Sequence, residues 1–200
     1  MNRRENVRAV AEAYDAKDEY CLKEGERALV FCLNQADFET GFVEKRDGKL
    51  LCLTDTYRVD LKECTESADR RLAEKMKDIV DFGQLKALGI CEEDEKNQKA
   101  FADFYESLER VKRQLARNDE ADVVFENLFL RISDTMTREA YRECMLPLYQ
   151  VCAEAVQEMQ QEYAVDGFSK IYLAGEKSDD ISLYEYLKEQ YRAELCILMQ

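Results

Sequence analysis

The chain has 200 residues, a formal net charge of −14, one proline, seven glycines and no histidine. This length suits one domain carrying a smaller subdomain, and the scarcity of proline and glycine argues against long disordered or repetitive segments. The missing histidine excludes Ser-His-Asp and Cys-His catalysis and most zinc sites, the negative field disfavours binding to DNA or RNA, and no apolar run is long enough to suggest a membrane span.

In chain order, residues 3–16 read as a short helix, with Val7, Val10, Ala11 and Tyr14 at helical spacing. The apolar run RALVFCLN (27–34) and the alternating DFETGFVEK (37–45) read as strands. Asp47-Gly48 supplies a hairpin turn into a third strand, KLLCLTDTY (49–57), which predicts an antiparallel meander. A helix follows over 66–80, then a short helical or irregular link (DFGQLKALGI). A long charged helix spans 93–117, its apolar stripe formed by Phe101, Phe104 or Tyr105, Leu108, Val111 and Leu115. Residues 121–133 hold one or two strands.

Thr137 caps a helix that extends to about Tyr163, with Glu139 in its positive first turn and a kink expected near Pro147. A strand at 168–174 leads into a last helix, which the capping-box spacing of Ser182 and Glu185 places near that point. Tyr184, Tyr186 and Tyr191, with Leu183, Leu187 and Leu195, read as a core stripe, with a partner groove as the alternative, and the apolar tail ELCILMQ folds back or contacts a partner. A mixed sheet with helices packed on it accommodates this order.

Eight cysteines occur without a C-x-x-C pair, most of them inside apolar runs, as expected of buried free thiols in a reduced compartment. The N-terminus lacks an apolar segment and a secretory cleavage pattern, so a cytoplasmic location is expected. The acidic run 92–95 lacks the alternation and turn glycine of a calcium loop, and reads as the acid-rich start of a helix; Asp179-Asp180 likewise read as a cap.

Several motifs resemble the second lobe of the nucleotide-binding domain of DnaK-type heat-shock chaperones, in the actin-like ATPase superfamily. NVRAVAEAYD (6–15) resembles the helix leading into that lobe, and VFCLNQADFET (30–40) its phosphate-binding hairpin, V-F-D-L-G-G-G-T-F-D-V. Asp47-Gly48 and Asp55-Thr56 resemble the hairpin and Asp-Thr pair that follow; MTREAY (136–141) resembles the I-T-R-E-x-F helix start, and LAGEKSDDI (173–181) the L-V-G-G-S-T-R-I-P turn. ERVKRQLA (109–116) resembles the adenosine-holding helix face E-R-A-K-R-x-L-S. The resemblance implies a ribonuclease H-like α/β lobe spanning 1–200, with an inserted subdomain at about 66–133. It implies that Glu109 and Lys112 meet the ribose, that Arg113 stacks on the base and that Gly175 opens the second turn. The residues of 109–116 also read as a solvated helix face with i,i+3 and i,i+4 charge pairs.

The phosphate chemistry departs from the pattern. Asn34, Gln35 and Ala36 fill the three glycine positions, Cys32 replaces the first aspartate, Asp37 the threonine, and Glu176 the second glycine of the later turn. A glycine hairpin lets backbone N–H groups approach phosphate, and larger residues with added carboxylates oppose that. The expectation is a lobe without ATP hydrolysis, without catalytic or metal-binding residues, and with at most weak affinity for ATP or ADP. Its partner is then another protein: a separate first lobe, a co-chaperone or a client. An adenosine-nucleotide-binding half that needs a separate first lobe, and an acidic α/β adaptor with no nucleotide, are the alternatives.

Overall fold

A computed structural model describes residues 5–197, for Glu5 in its backbone only. The described residues form six helices and eight strands in an α/β arrangement with a mixed sheet. The chain divides into two compact units, one made of 1–65 and 147–200, the other of 66–146. Helix α2 (Lys62–Ile79) passes between them at Thr65 and Glu66; helix α5 (Arg138–Glu162) does so at Leu146 and Pro147.

The first unit is built on a sheet whose order is β3-β2-β1-β7-β8. Strands β1 (Arg27–Leu33) and β2 (Asp37–Arg46) pair antiparallel, from Arg27 opposite Glu44 to Leu33 opposite Phe38. Strands β7 (Lys170–Ala174) and β8 (Glu194–Ile197) run parallel to β1, which makes the sheet mixed. From Ala28 to Leu33 every residue of β1 is buried. Its continuous apolar run is therefore that of a strand covered on both faces.

Helix α1 (Glu5–Asp15) covers one face: Val7, Ala11 and Tyr14 join Ala28, Val30, Val43, Tyr172 and Cys196 in a single buried cluster. Gly41 permits this approach, since a Cβ there would lie 2.8 Å from a Val7 methyl. Tyr14 stacks on Tyr172 with ring centroids 4.6 Å apart, and its hydroxyl donates to the Leu173 carbonyl.

The hairpin turn is Asp47-Gly48, both with positive φ (52° and 69°), joining β2 to β3 (Lys49–Cys52). The third strand then differs from its expected span of 49–57. The chain leaves the sheet after Cys52 and returns as β4 (Tyr57–Asp60), paired with the other half of β2. Thr54 fills the gap, its hydroxyl accepting the Phe42 N–H at 3.0 Å. A side-chain oxygen thus satisfies a ladder donor that a continuous strand would have taken.

The tail also resolves differently from a simple apolar end, because residues 194–197 add β8 to the sheet, with Cys196 opposite Tyr172. Residues 198–200 of that tail lie outside the described range, as do residues 3 and 4 of the first predicted helix.

The second unit packs α3 (Phe82–Ala87) and α4 (Gln98–Leu115) with the hairpin β5 (Glu120–Glu126) and β6 (Arg131–Thr137). Its centre is aromatic: Phe101 and Phe125 lie 5.0 Å apart, and Phe82 meets Phe101 edge-on at 5.3 Å. The link after α2 is helical because Asp81, with φ 50°, turns the chain and accepts the Gln84 N–H at 2.9 Å. Helix α4 starts at Gln98, so the acidic run 92–95 precedes the helix rather than opening it. Asp94 there accepts the Lys96 N–H at 3.0 Å, which stabilises a turn instead.

Helix α5 continues through Pro147, and the Thr137 hydroxyl accepts the Ala140 N–H at 3.3 Å at its start. No helix among the described residues is long and apolar enough to cross a membrane.

Candidate functional site

In open α/β sheets ligands collect at the carboxyl ends of parallel strands. In the first unit two turns lie there: 34–36 after β1, and 175–180 between β7 and helix α6 (Ile181–Gln190). These are the segments that resemble phosphate-binding turns, and several of their backbone N–H groups are engaged from within. Asn34 N–H donates to the Asp37 carbonyl at 2.9 Å, and Lys177 N–H to the Leu33 carbonyl at 3.1 Å. Glu176 N–H donates to Asn34 Oδ1 at 3.3 Å. Gln35 N–H donates to Glu176 Oε2 at 2.9 Å, so a side-chain carboxylate occupies this backbone donor.

Gly175 retains its glycine for a local reason. Its φ is +91°, and a Cβ would lie 2.4 Å from the Leu33 carbonyl oxygen. Only glycine lets the second turn close on the first in this conformation. The positive end of α6 is also occupied: Asp180, 1% exposed, accepts the Ser182 N–H at 2.9 Å and the Tyr149 hydroxyl at 3.0 Å. Asp180 is therefore the cap, so α6 begins one residue before Ser182.

The hairpin adds further negative charge. Asp37 receives Asn34 Nδ2 at 2.8 Å and pairs with Arg58, while Glu39 accepts from Asn6. Cys32 is buried at the end of β1. Burial, followed by the charges of Glu39 and Asp37, pushes its thiol up to about 11, so it is neutral at physiological pH. No group of three or more Cys, Asp or Glu side chains among the described residues is arranged to hold a metal ion.

In the second unit α4 brings two of its three resembling residues together. Lys112 Nζ lies 2.9 Å from Glu109 Oε1 and 2.7 Å from Asp69 Oδ1 on α2. The lysine side chain is 4% exposed, whereas Glu109 and Arg113 are exposed. Asp69 Oδ1 is buried, and the Lys112 ammonium at 2.7 Å compensates its charge. Burial lowers the Lys112 pKa, but bonding to Asp69 and Glu109 outweighs that and holds it above the ordinary lysine value. Lys112 thus serves the packing of α4 on α2. Arg113 forms no ion pair among the described residues.

Sequence reasoning missed Asp69, whose distance from Lys112 in the chain leaves no local signal. It noted Glu176 as a replacement without finding the Gln35 bond, which the acceptor-for-glycine exchange beside a backbone turn could have suggested. No family model matches the chain, and no curated protein matches it.

Proposed function

We propose that the chain is a degenerate, DnaK-like lobe of the actin-like ATPase type, acting as a protein-interaction module without ATP hydrolysis. The observation that carries this reading is the bond from Gln35 N–H to the Glu176 carboxylate. An anion-binding turn stabilises transferred phosphoryl groups with preorganised donors, each worth several kcal/mol in the transition state. Here the donors are engaged by the protein's own oxygens, and the added carboxylates repel phosphate.

The test is calorimetric titration of the purified chain with ATP, ADP and adenosine, with and without magnesium, beside a turnover assay. No saturable heat and no phosphate release are expected. ATP turnover that Arg113→Ala abolishes would overturn the reading.

A second reading is favoured by the exposure of Arg113 and Glu109 on α4. In it the chain is the adenosine-binding half of a chaperone ATPase whose separate first lobe supplies the glycine-rich loop. Saturable ADP binding by this chain together with a separate first lobe, weakened by Arg113→Ala, would support it over the first.

A further inference from the structure

A groove of about 600 Å³ lies in the 66–146 unit, along the exposed side of α4 where it meets β5. Its floor is apolar, from Ala100, Phe104 and Val124, and Lys96, Lys99 and Arg110 stand around it. None of these three cations forms an ion pair among the described residues. Arg110 instead donates to Gln114 Oε1 at 3.1 Å and to the Asp122 carbonyl at 3.3 Å. Two carboxylates also line the groove, Asp103 and Glu126, and Glu126 is paired with Arg131 at 3.6 Å. The lining thus carries three cations against two carboxylates, one of them paired, on a chain whose net charge is −14.

Beside the groove stands the tip of the β5–β6 hairpin, where Leu128 is 87% and Phe129 89% exposed. This tip is held rather than loose. Asn127 Oδ1 accepts the N–H groups of Phe129 (2.9 Å) and Leu130 (2.8 Å), and Asn127 Nδ2 donates to Asn97 Oδ1 at 3.3 Å. The buried Asn97 sits at the start of α4, so the tip is tied to the same helix that carries the cations. Two large apolar side chains presented to water on a hydrogen-bonded turn are preorganised for contact.

We propose that this groove and hairpin tip form a docking surface for an acidic, apolar-anchored segment of a partner protein. The apolar floor and the Leu128–Phe129 pair take the partner's anchors, and Lys96, Lys99 and Arg110 meet its carboxylates. The groove volume suits a few side chains of a peptide segment. The chain's remaining negative charge does not prevent this, because at about 0.15 M salt charges beyond roughly 8 Å are largely screened. The surface lies wholly within one unit and does not involve the turns at Gln35 and Glu176, so it stands or falls apart from the nucleotide reading.

The probe is a short fluorescein-labelled peptide of glutamate with leucine and phenylalanine at helical spacing, titrated with the full chain and followed by anisotropy. Two comparison peptides replace glutamate by lysine, or the apolar residues by serine. Saturable binding of the acidic apolar peptide alone is expected, with amide shifts confined to 96–110 and 124–130. The double variant Lys96→Glu, Lys99→Glu weakens it by about tenfold or more, as for close interfacial charges. Leu128→Ser with Phe129→Ser weakens it independently, at exposed positions where the fold is unaffected. No saturable binding, equal binding of the lysine peptide, or binding that survives both double variants overturns the proposal. Self-association abolished by the same variants would assign the surface to a second copy and overturn it too.

Discussion

The turns at the end of β1 and β7 and the charged face of α4 teach different lessons about one kind of likeness. Both resemble parts of a nucleotide site, and both are closed by the chain's own carboxylates. At the turns Glu176 accepts from an exposed backbone donor, a bond that water and anions can reach. On α4 Asp69 and Glu109 hold a lysine that is itself buried, so the same exchange has become part of the packing. Satisfying a donor at the surface adds little stability. Satisfying a buried ammonium supports the fold, because either charge left alone is costly.

The largest test of that contrast is Lys112→Ala. Breaking a buried pair costs about 3–5 kcal/mol, and Asp69 keeps 24% of its side chain exposed, so a loss of about 2–4 kcal/mol is expected in urea unfolding. The pH dependence has a definite sign. Lys112 has its pKa raised by folding, so its contribution is complete below the unfolded value of about 10.4 and is lost as pH rises through the higher folded value. The stability gap between the parent and Lys112→Ala then narrows only in strongly alkaline buffer. A gap that closes near neutral pH would remove the pair from the core.

Gly175→Ala comes next. The added methyl meets the Leu33 carbonyl in a left-handed backbone, and a loss of about 2–3 kcal/mol is expected. Gly25→Ala is the control, because φ is +79° there with nothing within 4 Å, and about 1 kcal/mol is expected. Equal losses at the two glycines would mean that the turns do not close as described.

Asp180→Ala removes the cap of α6 and leaves the Tyr149 hydroxyl without that acceptor, for about 1–2 kcal/mol by thermal unfolding. A neutral result would free the helix end for an external anion. The smallest effect is chemical. With its thiol near 11, Cys32 is thiolate in only about one molecule in a thousand at pH 8, and exposed Cys52 is expected to react with iodoacetamide well before it. Early labelling of Cys32 would show that the hairpin end is open.

Much of the fold was legible where one local pattern was enough. The apolar run 27–34 marked a strand, Asp47-Gly48 marked the two-residue hairpin, and Thr137 marked the start of α5. The interruption between β3 and β4 was not legible. CLTDTYRV carries no glycine or proline, and the break depends on Thr54 reaching the Phe42 amide across the strand pair. The late start of α4 was hidden for a related reason, since the acidic residues that suit a helix N-terminus also suit the turn that Asp94 closes.

At the candidate site the sequence displayed the residue types: Gly175, the exchange at Glu176, and the spacing of Glu109, Lys112 and Arg113. By itself it determined the α/β class, the hairpin and the acidic balance, because periodicity, turn chemistry and composition act over neighbouring residues. Tertiary structure alone decided that Glu176 accepts from Gln35, that Asp69 holds Lys112, and that Leu128 and Phe129 stand exposed beside Lys96, Lys99 and Arg110. Those outcomes join groups far apart in the chain, and distance in sequence carries no record of which donor will lie opposite which acceptor once the sheet and helices have packed.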